Sequence, residues 1–326
     1  MSKLVTIYGG AGFIGRYIAR RMAKEGWRVR VAVRRPNESM HVKVYGSVGQ
    51  VEPILCNVRD DASVAAAMNG ADAVVNCVGL LLNEGKNTFD AVHADGAGRI
   101  ARLAKEAGIE RMVQISSIGA DAEAESEYQQ TKAAGEEAVL AHMPDAMILR
   151  PSVVFGAEAQ FFNKFASMTR FGPLLLIAGG NTRFQPVWVD DVAKAAVQGV
   201  LQGASGTYEL GGPDVASLRE LMGEMLATIH RRRLVLNMPF FVASLVGFAF
   251  DMVQTVSLGL ISNRMMTRDQ VKSLKVDNVV SQDAQGFDAL GIKPVAMAAV
   301  LPDYLWRFRP SGQYDAIKDS AKNLRA

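Results

Sequence analysis

Tyr128 and Lys132 stand four residues apart in Tyr128-Gln129-Gln130-Thr131-Lys132, which opens a helix-period segment. On a helix that spacing places both side chains on one face. A phenol beside an ammonium is an arrangement for proton transfer, because the cation favours the phenolate and draws its pKa toward neutrality. A second group with chemistry is the run Gly9-Gly10-Ala11-Gly12-Phe13-Ile14-Gly15, which follows a strand-like segment and opens a helix. One glycine permits a tight turn, one lets backbone N–H groups approach a pyrophosphate, and one lets helix and strand pack closely. The helix N-terminus then favours the phosphate charge. The context, strand before and amphipathic helix after, is what gives a glycine motif its meaning.

The second strand selects the dinucleotide. An NAD site places an acid roughly 20 residues after the glycines to accept from the ribose 2′-OH. Here Arg34-Arg35 occupy that position, with no acid nearby, and Arg16 directly after the last glycine points to the same neighbourhood. Guanidinium groups suit a 2′-phosphate through bidentate contacts. The expected cofactor is therefore NADPH (NADP+); the alternative is that these arginines are ordinary surface cations. No metal is expected: the two cysteines, Cys56 and Cys77, form neither a ligand cluster nor a disulfide scaffold and read as small buried strand residues.

These residues need elements to hold them. β-branched runs at 4–8, 28–33, 52–56, 73–78, 112–116 and 146–149 alternate with helix-period segments at 13–25, 62–68, 96–107 and 132–142. Such alternation predicts βαβ units, an α/β Rossmann-type doubly wound parallel sheet, with ligands at the carboxyl ends of its strands. After Arg150-Pro151 the pattern loosens around glycine turns. A helix over 187–202 is expected to return to the first domain, and another over 218–229 to start at Ser217. The reading gives a nucleotide-binding domain at 1–155, with 185–205 returning to it. The segments 156–184 and 206–326 form a smaller, mostly helical domain for docking or substrate, ending in a polar tail from 313 onward.

The chain has 326 residues, 49% of them hydrophobic, which excludes intrinsic disorder, and a net charge of +3, too small for a nucleic-acid binder. Lys3 is followed at once by a strand-like run, leaving no room for a targeting peptide, and the expectation is a cytosolic chain or a mature form. The apolar excess concentrates in 234–261, after Arg231-Arg232-Arg233. Pro239 breaks its start, while Asp251 and Gln254 stop it short of a spanning helix. Ser244, Gly247, Asp251 and Gln254 form one narrow polar stripe on an otherwise apolar helix. That pattern predicts a helix lying along a membrane surface or against a partner, with the arginines facing anionic headgroups. A core helix is the alternative.

Taken together, Gly9-x-x-Gly12-x-x-Gly15, Asn57-Val58-Arg59-Asp60, Asn76-Cys77-Val78-Gly79, Arg150-Pro151 through Gly156 and Val187-Trp188-Val189-Asp190-Asp191 resemble extended and atypical members of the short-chain dehydrogenase/reductase superfamily. The resemblance implies that Tyr128 is a general acid/base and that Lys132 lowers its pKa and bonds the nicotinamide ribose. It also implies that Ser117, or Ser116, orients a substrate carbonyl, and that Gly9, Gly12, Phe13, Ile14, Gly15, Arg16, Arg34, Arg35, Asn57, Val58, Cys77, Val78, Gly79, Lys132 and Pro151 line the cofactor. The loop 120–127 is short for an extended member; its Asp121, Glu123, Glu125 and Glu127 read as a solvated acidic face. Thr267-Arg268-Asp269-Gln270-Val271 with Leu274 and Asp277-Asn278-Val279-Val280, taken alone, is a helix capped by Thr267 with a strand-like end. It also resembles the signature of the NAD(P)H-binding accessory subunits of respiratory complex I and their alphaproteobacterial homologues. That family implies an NADPH-holding subunit near the quinone site, without turnover, peripheral on the cytoplasmic face of the inner membrane or on the matrix face of a mitochondrion. Complex I subunits would be its partners, as would the membrane surface through 231–261. The competing expectations are an active NADPH reductase on a quinone or isoprenoid-like substrate, or one linked to ubiquinone synthesis, and a sugar-nucleotide epimerase or dehydratase.

Overall fold

Alternation along the first strand sets the architecture. In β1 (Leu4–Tyr8), Val5 and Ile7 join one apolar cluster and Tyr8 joins another, so the strand is covered on both faces. That burial pattern belongs to a parallel sheet sandwiched by helices. The polar groups that come with it are satisfied: Thr6 donates to the Ala67 carbonyl (2.9 Å) and Tyr8 to that of Val64 (2.8 Å). The computed structural model describes residues 2–256, 263, 266–314, 317 and 320, apart from the side chains of 253, 255 and 313.

The remaining strands of the sheet are β2 (Arg28–Val33), β3 (Val51–Leu55), β4 (Ala73–Asn76), β5 (Arg111–Ile115), β6 (Met147–Pro151) and β11 (Gly206–Leu210). They lie in the order β11-β6-β5-β4-β1-β2-β3, all parallel, so the winding reverses between β1 and β4. A dinucleotide binds across such a switch point. Helices α1 (Phe13–Lys24) and α6 (Val189–Gln202) cover one face, and α2 (Asp61–Met68), α3 (Asp95–Glu106) and α4 (Glu127–His142) the other. Arg21 grips Asp190 with two bonds of 2.7 and 2.6 Å, tying α1 to the first turn of α6.

The expected strands and helices are present, with ends shifted by a few residues. The return of the chain to the sheet runs further than 185–205, since 206–210 pairs with β6 and closes that edge. The segment 187–188 is a short strand, β10 (Val187–Trp188), paired with β7 (Val154–Phe155). Between β4 and α3 lies an element that periodicity did not register, a π-helical turn at Asp90–Ala94.

The second lobe packs α5 (Gln160–Met168), β8 (Leu174–Ala178), α7 (Leu218–Thr228) and α10 (Met297–Leu305) around Phe162, Leu175, Leu221, Met225 and Leu301. β9 (Arg183–Phe184) and β12 (Ala216–Ser217) pair beneath it. Ser217 starts α7 through a capping box with Glu220, as its position predicted. The apolar stretch is not one helix: 234–238 forms β13 (Leu234–Met238), parallel to β8, and α8 (Phe240–Val256) begins only after Pro239. Ile261 and most of the polar tail lie outside the described residues. α9 (Arg268–Ser273) is capped by Thr267 and Gln270. No helix among the described residues is long and apolar enough to cross a membrane.

Candidate dinucleotide and active site

The glycine loop lies at the carboxyl end of β1. Gly9 has φ +73°, a left-handed conformation that disfavours any side chain, and a Cβ there would also meet the Cys77 backbone at 3.1 Å. A Cβ on Gly15 would come within 2.5 Å of the Gly9 carbonyl, so α1 sits directly on the turn. Gly12 caps α1 without any side-chain hydrogen bond, leaving the first-turn N–H groups for an anion. Ile14 packs on the core, and the Phe13 ring lies 3.2 Å from where a Cβ on Gly156 would stand. Arg16 turns back onto the carbonyls of Ala11 (3.1 Å) and Gly12 (3.2 Å) and pairs with Glu158 at 3.5 Å. It thereby braces the loop against the second lobe rather than pointing along β2.

On the β2–β3 side, Arg34 and Arg35 are exposed at the end of β2. An acid does lie near them, contrary to the linear reading: the turn started by Pro36 folds Glu38 back to 3.2 Å from Arg35. Both partners are mostly exposed, 77% and 68%, so the pair is weak and Arg35 stays available to a phosphate. Asn57 forms a tight turn with Arg59, accepting from its N–H at 3.2 Å, and Val58 lies against Gly96. The buried Nε of Arg59 has no partner.

On the opposite side of the switch point, Asn76 holds the turn after β4, accepting from Val78 N at 3.0 Å and donating to Gln114 at 2.9 Å. Burial pushes the Cys77 thiol up to about 12, so it is no nucleophile there. Gly79 faces Lys132, whose Nζ would lie 3.7 Å from a Cβ at that position. Lys132 is buried and donates to the Ile115 carbonyl at 3.3 Å, and it lies 5.8 Å from the centroid of the Tyr128 ring. Pro151 is buried in β6, where its carbonyl accepts from Ile118 at 3.0 Å. The two candidate serines separate cleanly. Ser116 is committed to buried Glu136, which Arg150 also grips at 2.6 Å, whereas the buried Oγ of Ser117 has no partner. One orphaned polar atom thus stands on each side of the switch point, Arg59 Nε and Ser117 Oγ, with the glycine cradle between. That arrangement fits a dinucleotide.

Two further residues complete the Tyr128 side, and neither was read from the sequence. His93, in the π-helical turn, receives the Leu80 N–H on Nε2 (2.9 Å), so its proton lies on Nδ1 and is donated to Thr131 Oγ1 at 3.2 Å. Burial, and then the charge of Lys132, hold its pKa down to about 3, so the ring is neutral. Its ring stacks on Phe89 and meets Tyr128 edge-on at 5.4 Å. Asp269 accepts from Ser126 Oγ (2.8 Å), Glu127 N (2.8 Å) and Tyr128 N (3.2 Å) at the start of α4. The four acids of the loop 120–127 are exposed but not merely solvated: Glu125 pairs with Lys275 at 2.8 Å and accepts Lys272 on its carbonyl.

Residues 5–211 match the NAD dependent epimerase/dehydratase family. Over 316 residues the chain is 36% identical to "NADH dehydrogenase [ubiquinone] 1 alpha subcomplex subunit 9, mitochondrial" of Arabidopsis thaliana, covering 95% of this chain and 79% of that protein. It is 30% identical to the mitochondrial NADH-ubiquinone oxidoreductase 40 kDa subunit of Neurospora crassa, over 98% of this chain and 83% of the relative. Among solved structures, the UDP-glucose 4-epimerase of Thermus thermophilus in complex with NAD superposes with a TM-score of 0.67 at 17% identity, covering 94% of this chain and 99% of that one. The last match concerns the fold alone.

Proposed function

The chain belongs to the NAD dependent epimerase/dehydratase family and, within it, to the family of the complex I subunits of Arabidopsis and Neurospora; on that footing we propose that it is an accessory subunit of respiratory complex I that holds NADPH without turning it over. One observation carries the reading. The general family match ends at residue 211, yet similarity to the Arabidopsis subunit covers 95% of the chain. The C-terminal third, which the general family match leaves out, is therefore shared with a complex I subunit. The nicotinamide cofactor belongs to the family; NADPH rather than NADH is supported by Arg34 and Arg35. In this reading 1–155, with 185–205 and the edge strand 206–210, holds the nucleotide, and the remainder docks.

The docking surface is α8 with the arginines before it. Phe241, Leu245, Phe248, Met252 and Val256 recur at helical spacing, and all are exposed, Phe241 by 76% and Val256 by 75%. Asp251 and Gln254 point the other way, into the protein, where they bond Asn263. A helix with its apolar side outward calls for a nonaqueous neighbour. Arg232 is exposed, while Arg231 and Arg233 are oriented by the carbonyls of Phe308 and Thr169. An anionic lipid surface matches both features, which supports a position on the cytoplasmic face of the inner membrane, or on the matrix face in a mitochondrion. Affinity purification of the tagged chain from its own membranes is expected to recover complex I subunits, and denaturation of the purified chain is expected to release NADPH. Recovery of the chain alone, with membrane NADH:quinone activity unchanged after deletion of its gene, would overturn the reading.

A second reading, an active NADPH reductase, is favoured by Ser117. Its free Oγ and Tyr128 could share a carbonyl oxygen, Ser117 orienting it and Tyr128 delivering the proton; a bound nicotinamide would supply hydride chemistry. Tyr128→Phe separates the two. Under the accessory reading the variant restores a deletion strain fully, and under the reductase reading it does not.

A further inference from the structure

Helix α4 carries both Tyr128 and Lys132, yet it lacks a cap of its own. Ser126 occupies the N-cap position, and its side chain bonds no N–H of the first turn. The cap comes from 142 residues downstream: both Asp269 oxygens are used, one on Glu127 N and the other on Tyr128 N and Ser126 Oγ. The carboxylate satisfies two of the four orphan donors of a helix start and lies at the positive end of its dipole. It is itself rigidly held. Arg268, the residue before it, donates its N–H to Asp251 of α8 at 3.1 Å, and Gly247 of α8 packs so close that a Cβ would stand 3.0 Å from that nitrogen. Ser273 and Lys272 anchor the far end of α9 on Ser126 and Glu125.

We propose that Asp269 is a positioning residue for the nicotinamide half of the dinucleotide site, acting through the first turn of α4. The inference rests on the reading of the crevice as a dinucleotide site and not on the complex I assignment. Its physical content is local. The glycine cradle and Arg34 and Arg35 after β2 lie on one side of the switch point, and Tyr128, Thr131 and Lys132 lie on the other, all three on the helix that Asp269 starts. When the cap is lost the first turn frays, Tyr128 and Thr131 lose their fixed positions, and Thr131 no longer anchors His93 and the Leu80 backbone behind it. Groups at β2 and the glycine loop take no part in that change. The adenine half of a ligand should therefore not register it.

Binding of NADPH and of its adenine half, 2′,5′-ADP, to the full-length chain tests this, in the wild type and in Asp269→Asn and Asp269→Ala. Asn keeps the shape and one acceptor, so it carries the test if the alanine variant does not fold. Asp269→Ala is expected to raise the Kd for NADPH about fivefold, the effect of one lost cap, and Asp269→Asn by less. Neither should change the Kd for 2′,5′-ADP. Taking the same ratio with NADH and ADP reads Asp269 independently of which dinucleotide is preferred, and failure of the accessory-subunit reading would leave all these constants untouched. Equal weakening of whole and half ligands would mark Asp269 as a merely structural residue, and unchanged NADPH binding would show that the cap positions nothing; either result overturns the proposal.

Discussion

At the scale of single residues, charge and burial assign the roles. Arg34 and Arg35 are surface cations in the bare structure, and Glu38 offsets only part of the Arg35 charge. If they read a 2′-phosphate, Arg34→Ala/Arg35→Ala should weaken NADPH about tenfold or more while leaving NADH nearly unchanged, as titration calorimetry would measure; an equal effect on both would remove the basis for NADPH. His93 makes a pH prediction. Its folded pKa is about 3, against about 6.5 in the unfolded chain. Between those values the unfolded state binds the extra proton, so stability rises with pH across the window and is lost as pH falls through it. Denaturant unfolding at pH 7.0 and 5.5 should cost the wild type about 1 kcal/mol more than His93→Asn. A common pH slope for the two proteins would mean that His93 titrates normally.

Secondary elements meet at a few decisive contacts. Glu136 of α4 is buried between Ser116, just after β5, and Arg150 of β6, and Arg150 also lies 3.7 Å from Glu209 of β11. Removing one partner leaves a buried charge unpaired, which costs about 3–5 kcal/mol. Arg150→Met is expected to destabilise the fold by that order, and Glu136→Gln added to it should recover much of the loss. Additive effects in the double variant would show that the two side chains are not coupled. A similar economy operates where α4 passes the π-helical turn: a Cβ on Gly135 would stand 2.2 Å from the His93 carbonyl, so only glycine lets the two elements approach. The linear pattern of α4 exposed its helical period, but not that its first turn depends on Asp269, because the two are brought together by folding.

For the whole molecule, the question is which surface stays uncovered. α8 turns its polar stripe inward to Asn263 and Arg268 and Phe241, Leu245, Phe248 and Met252 outward. Phe241→Asp/Leu245→Asp replaces exposed side chains, so the melting temperature should stay close to that of the wild type. Sedimentation with vesicles containing anionic lipid should fall by at least tenfold; undiminished sedimentation would place the contact elsewhere. The apolar face and its arginine neighbours were legible in the sequence as composition. Their direction was not, since an amphipathic helix with inverted sides has the same period as an ordinary one.

What the sequence determined by itself is what short-range periodicity can carry. Alternating apolar runs between Ala-rich helices specify a doubly wound parallel sheet, and Gly9, Gly12 and Gly15 between strand and helix specify a phosphate turn, because sterics within a dozen residues leave no other solution. Tertiary structure decided the rest. It separated Ser117 from Ser116 by giving Glu136 to the latter, placed His93 beside Tyr128, set 206–210 in the sheet, folded Glu38 onto Arg35 and brought Asp269 to the start of α4. Most of these contacts join residues far apart along the chain, and Ser116 and Ser117 differ only in what packs around them. No local propensity encodes such choices; they follow from packing and from the need to pair every buried polar group.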